Sequence, residues 1–72
     1  MYAVISIKDG KGKQYAYYKK INSDENIAKL IKDIPGCDIL INAETKKNAR
    51  CIVNHWNACY KTNGTYMFNE LF

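Results

Sequence analysis

The strongest hydrophobic pattern lies in the last third of the chain. Ala49, Ile52, Val53, Trp56 and Tyr60 recur at steps of three and four, which sets them on one stripe of a helix with 3.6 residues per turn. Thr45 stands before the stripe as an N-cap, with a hydroxyl that accepts from the free amides of a first turn. Asn63-Gly64 is a stop, because glycine enters the left-handed conformation at little steric cost. The spacing predicts one capped amphipathic helix, then a turn and an extended segment from Thr65 to Phe68.

Upstream the period changes. Tyr2 to Lys8 alternates, with Ala3, Ile5 and Ile7 on one side and Tyr2, Val4 and Ser6 on the other, which predicts a strand. Asp9-Gly10-Lys11-Gly12-Lys13 is turn chemistry, and Gln14 to Ile21 returns as a tyrosine-rich strand, so the first unit is a β-hairpin. Asn22 or Ser23 then caps a helix in which Ile27, Leu30, Ile31 and Ile34 share a face; Asn22 with Glu25 resembles a capping box. Pro35-Gly36 ends it, and Asp38 to Ala43 is an apolar run of strand length.

The predicted order is β-β-α-β-α-β in a single domain, residues 1–72, with no linker, repeat or low-complexity segment. Two helices on one face of a small sheet make a two-layer α/β (α+β) sandwich, with Trp56 against Ile27, Leu30 or Ile31. If Ile5, Ile7, Ile39 and Ile41 lie under the helices, Tyr2, Val4 and Leu40 point the other way, with either Tyr15 and Tyr17 or Ala16 and Tyr18. Such an uncovered apolar face marks an interface, unless a different register makes these side chains core. A chain of 72 residues buries only about 60% of its unfolded surface, so self-association would help it. A homodimer is therefore expected, through Tyr2, Val4 and Leu40 or through the back of the last helix.

Charge adds a direction. Eleven Lys and Arg against seven Asp and Glu give a net charge of +4. Lys8, Lys11, Lys13, Lys19 and Lys20 crowd the hairpin. The bias is ordinary for a small protein, yet it favours an anionic partner. Lys11 to Lys20 interleaves lysines with Tyr15, Tyr17 and Tyr18, and tyrosines on a sheet can stack bases while lysines meet phosphates. Lys11, Lys13, Tyr15, Tyr17, Lys19 and Lys20 form the expected partner-binding set.

Other chemistry is thin. Cys51, His55 and Cys59 stand at i, i+4 and i+8, but the two sulfurs start about 12 Å apart and cannot share one zinc ion or close a bridge. Cys37 is left as the one partner either thiol could take, and the odd count argues against a disulfide framework. The expected role of all three side chains is packing at helix edges, with no metal. One His stacked above thiols on the same helix face offers no cleft, orienting group or oxyanion site, so no catalytic residue and no enzyme activity is expected. The glycine-rich loop matches neither phosphate-binding fingerprint, and no cofactor motif is present. No apolar run is long enough to span a bilayer, and Met1 to Asp9 reads as a strand rather than a signal peptide, so no membrane partner and a cytoplasmic location are expected.

Thr45-Lys46-Lys47-Asn48-Ala49, Trp56-Asn57 and Tyr60-Lys61-Thr62-Asn63-Gly64-Thr65-Tyr66 resemble the C-terminal part of short proteins from phages and mobile elements of low-GC Gram-positive bacteria. The resemblance covers about a third of the chain and consists of helix-packing and cap residues. It implies a bacterial host cell and an anti-defence setting: a phage-encoded inhibitor of a host defence nuclease complex, anti-CRISPR in type, that acts by occupying a surface on a host protein or ribonucleoprotein. A basic chain does not mimic DNA. Two further functions fit the residues, a nucleic-acid-binding accessory protein that uses the basic, tyrosine-rich hairpin and an oligomeric binder of a small anionic nucleotide.

Overall fold

The hairpin forms where the alternation places it. In the computed structural model, which describes residues 1–22 and 27–67, β1 (Tyr2–Lys8) pairs antiparallel with β2 (Gln14–Lys20), Ile5 opposite Tyr17. A short helix, α1 (Ile27–Asp33), leads to β3 (Cys37–Ala43), and β3 pairs antiparallel with the other side of β1, Ile5 opposite Leu40. The sheet order is β2-β1-β3, with a register shift between Ser6 and Ile7. The long helix α2 (Lys46–Asn63) follows. The molecule is thus a small α+β protein, a three-stranded antiparallel sheet packed against one long C-terminal helix plus a short helix.

Both ends of α2 are closed by the residues expected to do so. Thr45 Oγ1 accepts from Asn48 N–H at 3.1 Å, and Gly64 takes φ +75°. Gly64 N–H donates to Lys61 O, and Thr65 N–H donates to Tyr60 O at 2.8 Å, which satisfies carbonyls that the helix itself leaves open. The chain then runs back along β2. Gln14 N–H donates to Thr65 O and Met67 N–H to Gln14 O, both at 2.7 Å, so the predicted last strand begins as a single parallel bridge between Gln14 and Tyr66. Phe68 lies outside the described residues, as do Ser23 and the Glu25 partner of the predicted box at Asn22.

The expectation of two helices on one face is corrected by the register. Side chains directly opposite across antiparallel strands share a face, so Val4 goes with Ile41 and Ser6 with Ile39, while Ile5 goes with Leu40. Val4, Ala16 and Ala43 meet Ala49, Val53 and Tyr60 of α2. On the opposite face Ala3, Ile5 and Ile21 pack with Ile34, the residue that leaves α1. Ala16 and Ala43 on the sheet and Ala49 on the helix let α2 lie close to the sheet. Trp56 packs against this α2 cluster, and Ile31 is exposed, so they do not form the expected pair; Ile27 and Leu30 side chains lie outside the description.

The same register removes the expected dimer patch. Val4 is fully buried beneath α2, Tyr2 borders that core, and Leu40 lies on the other side of the sheet. Ile39 and Ile41 are the strand's exposed apolar side chains instead. A period-two pattern names the two sides of each strand, but only cross-strand pairing says which sides coincide.

Candidate functional site

The turn that joins β1 to β2 is built around one carboxylate. Asp9 Oδ1 accepts from the N–H of Lys11 at 2.8 Å and of Lys13 at 2.9 Å. Asp9 N–H donates to Lys13 O at 2.9 Å, and Gly12 closes the turn at φ +82°. A short acidic side chain that bonds amides two and four residues on is a local alternative to ladder pairing, and it holds the loop in one shape. Lys11 is exposed at its tip.

Lys13 does not join Lys11 as an outward charge. Its Nζ lies 3.5 Å from Gly64 O, at the C-terminal end of α2, where a cation meets the negative end of the helix dipole. Its place in the fold ties the hairpin loop to the helix end, a role the charge pattern did not reveal.

Alternation divides the rest of the set. Tyr15 and Tyr17 are half-buried, with ring centroids 6.2 Å apart and planes only 20° from parallel; Tyr17 packs on the cluster away from α2, whereas Tyr15 reaches the α2 cluster. Lys19 continues the Tyr17 side and is exposed. Lys20 is exposed on the α2 side, where Tyr18 meets Tyr2 edge to face at 6.1 Å. One strand therefore serves two surfaces, a stacked tyrosine pair with Lys19 and a separate edge at Lys20.

Two residues outside the expected set extend the tyrosine row. The Tyr66 ring lies 6.0 Å from that of Tyr15, and Lys61 Nζ sits 4.8 Å over the Tyr66 ring. The attraction of an ammonium for the face of an aromatic ring holds Lys61 there. Only the return of the chain along β2 brings them to Tyr15, so spacing alone offered no signal beyond the Gly64 stop.

At the other end of this face, burial pushes the Tyr17 phenol up, helped by charge on Cys37; burial and then Asp38 push the Cys37 thiol up. Both groups are held in their neutral forms, which suits packing rather than nucleophilic attack. Cys37 lies on the face away from α2, whereas Cys51 and Cys59 are exposed on α2, and all three are free thiols. His55 Nε2 and Cys59 Sγ are 3.9 Å apart beside a surface groove of about 250 Å³ that also involves Ala58, Thr62 and Asn63. Among the described residues, no group of three or more His, Cys, Asp or Glu could hold a metal ion. No helix among them is long and apolar enough to cross a membrane.

The best-defined surface feature is thus the braced basic turn with the adjoining tyrosine row. No protein-family model, curated protein or solved structure matches this chain.

Proposed function

We propose that this protein acts by binding, as a non-enzymatic inhibitor that occupies the surface of a host defence nuclease complex, and that its basic hairpin makes the contact. The observation that carries this reading is the Asp9-braced turn, which presents Lys11 in one fixed shape beyond the sheet. A loop already ordered before it binds loses less conformational freedom on association, and exposed lysines speed encounter with an anionic surface. The choice of a defence complex as target rests on the resemblance of the C-terminal segment to short phage proteins.

A second reading is supported by the Tyr15–Tyr17 stack beside Lys19. Parallel aromatic rings next to a cation suit single-stranded nucleic acid, with bases on the rings and phosphate on the ammonium. In a nuclease complex that carries a guide RNA the two readings meet at one surface.

The test compares the wild type with a Lys11→Ala, Lys19→Ala, Lys20→Ala variant and with His55→Ala. Each is measured against a guide-loaded RNA-guided nuclease and against free single-stranded RNA, over a range of salt. The lysine variant should bind the complex more weakly while it keeps its fold, since exposed charges add little to stability. His55→Ala should bind as the wild type does. Tight binding to free RNA with a steep salt dependence would favour the second reading. Loss of activity in a folded His55→Ala protein, with the lysine variant unaffected, would replace both by chemistry centred on α2.

A further inference from the structure

The two edges of the sheet are treated differently. Along β2, Gln14 bonds Thr65 and Met67, and Ala16 gives its N–H to Asn57 Oδ1 at 2.8 Å and takes Asn57 Nδ2–H on its carbonyl at 3.0 Å. The side-chain amide of Asn57 stands where a neighbouring strand would, so this edge is occupied at Gln14 and Ala16. The same bonds fix which positions face outward. Even positions of β2 turn away from β1, so its odd positions pair with the odd positions of β1, and the even positions of β1 pair with β3. Lys8 N–H donating to Gly36 O at 2.9 Å agrees. Ile39 and Ile41, opposite Ser6 and Val4, therefore spend their backbone groups on β1, while Leu40 and Asn42 turn theirs to the outer edge.

That edge lacks the usual protection of lysine or proline, and Ile39 and Ile41 are exposed on it at 39% and 37%. We propose that β3 pairs antiparallel with β3 of a second copy about a two-fold axis at Leu40, joining the two sheets into one. In this register Leu40 exchanges backbone bonds with the partner's Leu40. Ile39 stands opposite the partner's Ile41, and the reverse, at the closely spaced positions where side chains touch best. Asp38 meets the partner's Asn42, which can donate to it.

The neighbouring registers are worse. Sliding one strand by two residues sets Asp38 against the partner's Glu44, a like-charge pair; sliding it the other way sets Leu40 against the partner's Asp38. The strand is thus self-complementary in one register, which is what an isologous two-fold contact needs. Because β2 is already closed at Gln14 and Ala16, the assembly stops at two copies. The lysines of the hairpin stay clear of this edge, so the proposal stands apart from the contact surface described above.

Sedimentation of the purified chain should give a dimer mass that becomes monomeric in Ile41→Lys, with an unchanged circular dichroism spectrum. Hydrogen exchange on the wild type supplies a readout that needs no variant. The Leu40 and Asn42 amides should be protected in concentrated samples and lose that protection on dilution, while the Ile41 amide keeps it. A wild type that stays monomeric at millimolar concentration would overturn the proposal. So would a dimer whose Leu40 amide exchanges freely, or one that persists in folded Ile41→Lys.

Discussion

The hydroxyls of Ser6 and Tyr60 meet inside the core, with their oxygens 2.6 Å apart, 54 residues apart in sequence. Ser6 is fully buried on the α2 side of β1, and Tyr60 reaches it from the last turns of the helix. Each hydroxyl is the other's partner, so a polar group on a core position of the strand is matched by a polar tip on the apolar stripe of the helix.

That pairing predicts a non-additive mutant cycle. Ser6→Ala leaves the tyrosine hydroxyl buried and unpaired, and Tyr60→Phe does the same to the serine. Each should cost about 1–3 kcal/mol in urea denaturation. The double variant removes both polar groups and should cost less than the sum. Additive losses would mean that water or another group satisfies the survivor.

Asn57 is expected to matter as much as a core residue although it is only half-buried. Asn57→Ala removes two bonds to the backbone of Ala16 and reopens the β2 edge. A loss of about 1–3 kcal/mol is expected, with faster amide exchange at Ala16. Exchange at Ala3, which pairs with Lys19 inside the hairpin, should change less.

Two glycines with similar dihedrals should respond differently to alanine. Gly12 at φ +82° has open space around it, whereas a Cβ on Gly36, at φ +72°, would come 2.7 Å from Lys8 O. Gly12→Ala should cost the left-handed penalty alone, about 1–2 kcal/mol. Gly36→Ala adds a clash with backbone at the β1–β3 junction and should cost distinctly more. Melting temperatures of the two variants in one buffer check the order.

Alkaline pH should lower stability through two groups on the face away from α2. The Cys37 thiol and the Tyr17 phenol are both raised from ordinary values of 9.0 and 10.0. A raised acid holds its proton longer in the folded chain than in the unfolded one, so its stabilising contribution is whole below the ordinary value and is lost as pH rises through the raised one. The melting temperature should begin to fall above pH 9. Cys37→Ala should flatten the early part of that fall and Tyr17→Phe the later part. An unchanged alkaline limb in both variants would place its cause elsewhere.

The local elements were legible in the chain. Alternation at Tyr2–Lys8, turn residues at Asp9–Lys13, the Thr45 cap and the Gly64 stop each act through neighbours a few residues away, and the structure has each element where those neighbours set it. Everything that depends on which strand sides coincide was set by long-range pairing. The placement of Ile39 beside Ser6 rather than Ile5 put Val4 in the core and the two isoleucines at an edge. The docking of α2 and the segment after it on β2 gave Lys13 to the end of α2, Tyr66 to Tyr15, and Asn57 to Ala16. The physical reason is that side-chain period is a property of one segment, whereas register is a property of two. A slip of one residue leaves every strand pattern intact and exchanges the core for the surface.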